Sequence, residues 1–253
     1  MEYTVAAVQE ALAVLMIVAH NPGLGVTEIA KRSGNTKART FRLLATLEKA
    51  SFVSRDKDST TYSLGHIALV LGFAAQEQVG ITRLADKYLD SLQSRFNETA
   101  SLIVRDAGES VCIAQKHSTH EVRVQAALGR RRPMHAGASS KVLLAFAPQE
   151  VQAQVLEGDL EKITPGTLTS KTKLKQELKR IGEQGYALST GEVARDVVAI
   201  AAPVFDNTGT VQAAIGFSIP VSRAPQDMSK LINALRQSAA ELSAELGWKK
   251  PSA

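Results

Sequence analysis

Apolar residues recur at helical spacing along the first part of the chain, and beyond it the period shifts to two. From Val5 to His20 the pattern predicts a helix with Val8, Leu12, Leu15 and Ala19 on one face, stopped by Asn21-Pro22-Gly23. Thr27 is a candidate N-cap for a short helix through Ser33, and Gly34 suits the left-handed position after its end. Asn35 or Thr36 is placed to cap the next helix, which runs to about Ala50. There Thr40, Leu43, Leu44 and Leu47 form the stripe expected to be buried, while Arg39, Arg42, Thr46 and Lys49 fall on the opposite face. Residues 52–55 and 61–64 read as strands around a charged turn at 56–60. Two helices meeting at a glycine turn, followed by such a hairpin, outline a winged helix-turn-helix, a device for setting a helix in the major groove.

The segment from His66 to Gln78 is helical in pattern and apolar over most of its circumference. It needs a covering, from its own chain or from a partner chain. Ile81 to Phe96 gives an amphipathic helix. Strands are expected at Ala100–Arg105 and Val111–Lys116, with a third at Glu121–Ala126, before an irregular and very basic stretch at Gly129–Gly137. Helices follow at Ser139–Ala147, at Pro148–Glu157 with proline at the first helical position, and at Lys171–Gln184. Strands at Tyr186–Thr190, Val197–Phe205 and Val211–Ile219 precede a closing helix over Gln226–Leu246. Strands, then helices, then strands joined by hairpins predict an α+β domain with a mainly antiparallel sheet. The domain division expected is 1–65 for the winged domain, 66–80 for a linker or dimerisation helix, and 81–253 for the α+β domain.

Composition narrows the function classes. The 253 residues carry a formal net charge of +5, which suits a polyanionic partner. The single cysteine, Cys112, excludes an internal disulfide and any multi-cysteine metal site; its apolar neighbours favour a buried small hydrophobe over a reactive thiol. No apolar run approaches a membrane span, and acidic residues precede the apolar stretch at Ala11–Ala19, which disfavours a signal peptide and places the chain in the cytoplasm. Enzyme motifs are weak. Ala138 stands where a serine–lysine motif needs its nucleophile, and His117 and His120 have no third metal ligand nearby. A small-molecule hydrolase or transferase on the α+β domain is the alternative reading.

On the basic helix, Lys37, Arg39 and Arg42 lie in the turns that approach base edges, and Arg39 is the foremost base reader because arginine pairs with guanine in a bidentate way. Ala38 is small enough for close approach. Thr36, Thr46, Lys49, Arg55 and Lys57 are placed for phosphates, with the wing residues within reach of the minor groove. Phe41 fits either a thymine methyl or the core. A single recognition helix reads a short half-site, so a palindromic or near-palindromic double-stranded operator and a homodimer, or dimer of dimers, are expected.

The wording of several segments resembles the IclR family of bacterial transcriptional regulators over nearly the whole chain. The resemblance rests on GVTEIAKRSGNTKARTFRLLATLEKASFVSRD (Gly25 to Asp56), GRRRPMHAGASSKVLLA (Gly129 to Ala145), EQGYALSTGEV (Glu183 to Val193) and VAIAAPVFDNTGTVQAAIGFSIPVSR (Val198 to Arg223). It implies a winged DNA-binding domain, a linker helix and a GAF- or profilin-like effector domain. It also implies dimers or tetramers. The function expected is a ligand-responsive repressor of genes for catabolism of a small organic acid, aromatic acids included, with no cofactor. Pocket roles implied by the resemblance fall on Arg132, Met134, Ala138, Ser139, Ser189, Ala199, Gly216 and Ser218. Arg132 is read as the bidentate partner of a carboxylate or as a surface arginine, and Met134 as pocket or plain core. Free N–H groups where the helix begins near Ser139 add an anion-binding element.

Overall fold

The computed structural model describes residues 4–56, 58–78, 80–125 and 127–249. The chain divides into two compact units, Met1–Val79 and Gly80–Ala253.

In the first unit, α1 (Ala6–His20), α2 (Val26–Ser33) and α3 (Lys37–Lys49) pack around Val14, Val18, Ile29, Leu44 and Leu47. The sheet orders β1 (Leu24–Gly25), β3 (Thr61–Leu64) and β2 (Val53–Arg55) side by side, all antiparallel. Strand β1 is too short to show a period and was not predicted. Its pairing through Gly25 also corrects the expected cap: Gly25, not Thr27, precedes α2, with no side-chain cap. Gly34 closes α2 in the left-handed region, and Thr36 caps α3 by accepting from the Arg39 N–H. The face expected to be buried on α1 is corrected as well. Val14 and Val18 are buried, whereas Val8 and Leu12 are each 56% exposed. The helix is apolar on several sides, so its sequence carries no contrast to orient it; contact with α3 decides. Helix α4 (His66–Gln78) completes the unit, and Leu69, Val70 and Leu71 on it are half-exposed or more.

The second unit is a six-stranded antiparallel sheet between two helical layers. In spatial order its strands are β6 (Arg131–Pro133), β5 (Glu109–Lys116), β4 (Thr99–Asp106), β9 (Val211–Pro220), β8 (Val197–Phe205) and β7 (Ala187–Thr190). One face buries Leu102, Ile200, Ile215 and Phe217 against α5 (Gly80–Phe96) and α9 (Ser229–Glu245). The other packs Ala201 and Ala214 against α6 (Ala138–Ala145) and α8 (Lys171–Gln184), with α7 (Gln149–Glu157) beside them. The alternation of Ile200 and Ala201 between the two faces is the period of two expected for a strand buried on both sides.

Two expectations in this unit are corrected. Residues 121–125 form no strand, and residue 126 lies outside the described residues. The Val124 carbonyl accepts from the Thr99 hydroxyl and the Val122 carbonyl from Arg223, so side chains occupy groups a ladder would need. The strand beside β5 is instead the basic Arg131–Pro133 segment, expected to be irregular. Pro148 stands one residue before α7, as its N-cap with extended backbone, instead of at its first helical position.

Candidate nucleic-acid interface and ligand cavity

Helix α3 presents Lys37, Ala38, Arg39, Arg42, Thr46 and Lys49 to solvent, while Thr40, Leu44 and Leu47 anchor its other side. Phe41 is 48% exposed and joins the solvent face, so its core reading is set aside. Thr36 is exposed at the start of the helix, and Arg55 extends from β2 with its guanidinium 6.0 Å from the Tyr62 ring. Lys57 lies outside the described residues. Among the described residues, no carboxylate pairs with Lys37, Arg42, Lys49 or Arg55. Arg39 differs. Its guanidinium is gripped side-on by Glu10 of α1, with Nη2 donating to Oε1 at 2.9 Å and Nε donating to Oε2. Those hydrogen bonds, and the carboxylate charge behind them, raise the Arg39 pKa above the ordinary arginine value.

In the second unit a cavity of about 230 Å³ opens where α6 begins above the sheet. Strand register explains its floor. Ser189, Ala199 and Ser218 stand opposite one another across β7, β8 and β9, and all three line the cavity. One row further on, Ala201, Gly216 and Ser101 are aligned. Gly216 lines no wall but makes room for one. A Cβ there would fall 2.5 Å from the Ile200 carbonyl oxygen and 3.3 Å from Ser139 Oγ, so only glycine lets Ser139 approach the sheet. Met134 is buried at 1% among Val142, Leu144 and Leu174 and does not reach the cavity; of the two readings offered for it, core is the one observed.

The roof and rim come from Arg132, Ala138 and Ser139, joined by Arg130, Ser140 and the 192–194 loop. Gly137 caps α6 at φ 89°, a conformation that favours glycine, and its N–H donates to Glu192 Oε2 at 3.0 Å. The other oxygen of Glu192 accepts from Lys141 Nζ at 2.5 Å, where both side chains are a tenth exposed or less. Thr164 and Thr167 hydroxyls donate to the backbone carbonyls of Gly191 and Glu192, fixing this loop from behind. The helix start therefore already holds one carboxylate, supplied by the protein. With Glu177, 3.7 Å from the same ammonium, it balances Lys141, and among the described residues no carboxylate pairs with the arginines of the rim.

Arg132 is half-buried, and among the described residues no carboxylate pairs with it. Burial, aided by repulsion from Arg130, pushes its pKa down to about 10, so it remains cationic at neutral pH under an electrostatic penalty. Arg131 points away and pairs with Asp106 and Glu109. His135 is buried, its ring donating to the Glu161 carbonyl at 2.9 Å, a structural bond. Burial raises the Cys112 thiol to about 11, which keeps it protonated and unreactive.

Sequence reasoning missed Glu10, Lys141, Glu192 and the serines at 101, 110 and 140. The signal for the last group was a hydroxyl in an otherwise apolar strand or helix face. Glu192 stood inside a quoted motif without an assigned role. Glu10 had no local signal, because its partner lies 29 residues away on another helix.

Comparison with known proteins bears on both units. A model described as the IclR helix-turn-helix domain matches residues 7–57, and one described as the bacterial transcriptional regulator IclR C-terminal matches residues 73–244. The HTH-type transcriptional regulator KipR of Bacillus subtilis (strain 168) is 31% identical over 243 residues, covering 95% of this chain and 97% of its own. The HTH-type transcriptional repressor AllR of Salmonella typhi is 31% identical over 253 residues, covering 98% and 92%. A crystal structure of an IclR transcriptional regulator from Alicyclobacillus acidocaldarius superposes with a TM-score of 0.89 at 30% identity, covering 97% of this chain and all of that one. The relatives are regulators and not enzymes, which sets aside the hydrolase or transferase alternative. With matches across both units and nearly the full length, the chain belongs to the IclR family of bacterial transcriptional regulators, proteins that bind DNA through a helix-turn-helix domain and respond to a ligand through the C-terminal one.

Proposed function

We propose that this chain is a cytoplasmic repressor whose affinity for a palindromic or near-palindromic operator is set by a small organic acid. Lys37, Arg39 and Arg42, with Ala38 between them, approach base edges; Thr36, Thr46, Lys49, Arg55 and Lys57 hold phosphates. Residues 1–65 form the DNA-binding domain, 66–80 the linker and 81–253 the effector domain. Two or four copies assemble, with α4 as the seam. Its exposed Leu69, Val70 and Leu71 support that role, since such a surface is costly to leave in water.

The observation that carries the effector reading is the uncompensated Arg132 guanidinium at the cavity mouth. A carboxylate docking there gains a charge-assisted, bidentate partner and relieves the repulsion between Arg132 and Arg130. Among the described residues, six serines and no aromatic ring line the cavity, which favours a hydroxylated aliphatic acid over an aromatic one. Ala138, Ser139, Ser189, Ala199 and Ser218 contact it, while Met134 and Gly216 act from behind the wall.

The test is a thermal-shift screen of the full chain with glycerate, gluconate, tartrate and benzoate, followed by operator affinity with each binder. At least one hydroxylated acid should raise the melting temperature and change operator affinity, and Ser139→Arg should abolish that response with DNA binding intact. A shift with benzoate alone contradicts the ligand class; no change in operator affinity with any binder contradicts the regulatory reading.

A further inference from the structure

We infer that Glu10 is a specificity-determining residue: from α1 it holds the Arg39 guanidinium in the orientation in which it reads a guanine. The inference rests on α3 being the base-reading helix. It starts from an asymmetry among the cations of that face. Among the described residues Lys37, Arg42 and Lys49 meet no carboxylate, whereas Arg39 is paired through two of its nitrogens.

A pair this exposed adds little to folding stability, because solvent screens it and two side chains must be ordered to make it. A carboxylate beside a DNA-facing helix also repels phosphates. Its geometry suggests the compensating gain. Glu10 takes the Nε–Nη2 edge of Arg39, so the end-on edge, Nη1 with the second hydrogen of Nη2, stays free. That edge carries two parallel N–H donors, the pattern that guanine O6 and N7 accept in the major groove.

The side chain is fixed at both ends. Its own backbone N–H donates to the Thr36 hydroxyl at 3.3 Å, which sets the first turn of α3, and Glu10 sits on a helix held to α3 through Val14, Val18 and Leu44. Without Glu10 the long arginine side chain samples many rotamers and meets phosphates and bases alike. With it, the guanidinium is presented in one direction before DNA arrives, and the rotamer entropy is lost on folding instead of on binding. Sequence discrimination at one base pair, not overall affinity, is what this arrangement changes.

The experiment uses the full chain and three DNA probes: the operator it selects from a random-sequence pool, that operator with each guanine replaced in turn, and random duplex. Dissociation constants are measured for wild type, Glu10→Gln, Arg39→Ala and the double variant, with melting temperatures confirming that all are folded. For Glu10→Gln the ratio of random to selected dissociation constants should fall roughly 5- to 10-fold, the lower range of one bidentate base contact. Random-duplex binding should stay level or tighten slightly, and the loss should map to the guanine that Arg39→Ala also releases. In the Arg39→Ala background the second substitution should change discrimination no further. If Glu10→Gln tightens selected and random DNA by the same factor, or leaves discrimination unchanged, Glu10 only repels phosphates and the inference is overturned. If Arg39→Ala itself leaves discrimination intact, the base-reading assignment of Arg39 fails, and this inference with it.

Discussion

Arg39 and Arg132 are the same side chain placed in opposite circumstances. Arg39 is half-exposed on the first unit and held by two bonds to Glu10, which raise its pKa; Arg132 is half-buried on the second unit, without a carboxylate partner among the described residues, and its pKa is pushed down to about 10. The first is oriented in advance, for a target whose geometry is fixed. The second carries an unmet electrostatic demand, for a target that is sometimes absent. A reader of base edges gains from being held still, and a sensor gains from being satisfied only when its ligand is present. Each arginine is therefore informative through its partner or through the lack of one.

The largest expected effect concerns what keeps Arg132 uncompensated. Glu192 is already committed to Lys141 and the Gly137 N–H. Replacing it with alanine leaves the buried Lys141 only the longer 3.7 Å contact with Glu177 and takes the acceptor from the Gly137 N–H, at a cost of up to about 3–5 kcal/mol in chemical denaturation. Lys141→Met with Glu192→Leu should recover part of that loss, because both charges go together and Glu177 keeps Arg180 as its partner, while the Gly137 N–H still lacks its acceptor. If Glu192→Ala alone is neutral, the carboxylate is not held as described, and it is available to Arg132.

Next in size is Arg132→Leu. Any acid that binds the wild-type cavity should bind this variant about 10- to 100-fold more weakly in calorimetry, the range for losing a hydrogen bond to a charged group. The apo protein should not be destabilised, since the cation removed had no carboxylate partner. Loss of stability in the apo form would show that Arg132 is already satisfied.

Arg39→Ala should cost about 1–3 kcal/mol on the selected operator and little on random duplex. Lys49→Ala should weaken all duplexes alike and reduce the salt slope of binding by about one. Equal losses on specific and random DNA for both variants would erase the distinction between base reader and phosphate contact.

The smallest effect is in pH. Bound carboxylate returns Arg132 toward its ordinary value, so the liganded state holds a proton that the free state loses as pH rises through about 10. Acid affinity should be flat from pH 6 to 9, a window all but clear of that titration, and fall above about 10. A decline centred near neutral pH points to a different group.

These contrasts also separate what the sequence shows from what it conceals. On α3 the buried stripe Thr40, Leu44 and Leu47 and the exposed Arg39, Arg42, Thr46 and Lys49 alternate within one helix, so periodicity alone assigns both faces. The cavity draws on all six strands of the sheet, a helix start and the loops beside them, brought together by register. No local period reports that Ser189, Ala199 and Ser218 share a row, and their assignment rested on resemblance. Helix α1 failed for a related reason: with apolar residues on several sides, Val8 and Leu12 were indistinguishable from Val14 and Val18 until α3 was in place. The Glu121–Ala126 expectation failed because strand propensity says nothing about the Thr99 hydroxyl and Arg223 side chain that occupy its carbonyls. Contacts distant in sequence, Glu10 with Arg39 and Lys141 with Glu192, were invisible for the same cause.

The most direct test of the link between the two arginines is operator affinity by fluorescence anisotropy, for wild type and Arg132→Leu, across the same panel of hydroxylated acids. At least one acid should shift wild-type affinity by about 5- to 150-fold, the usual span of coupling between sites, and leave Arg132→Leu unmoved at the same concentration. An equal shift in both proteins, or none in the wild type with an acid that calorimetry shows to be bound, would contradict it.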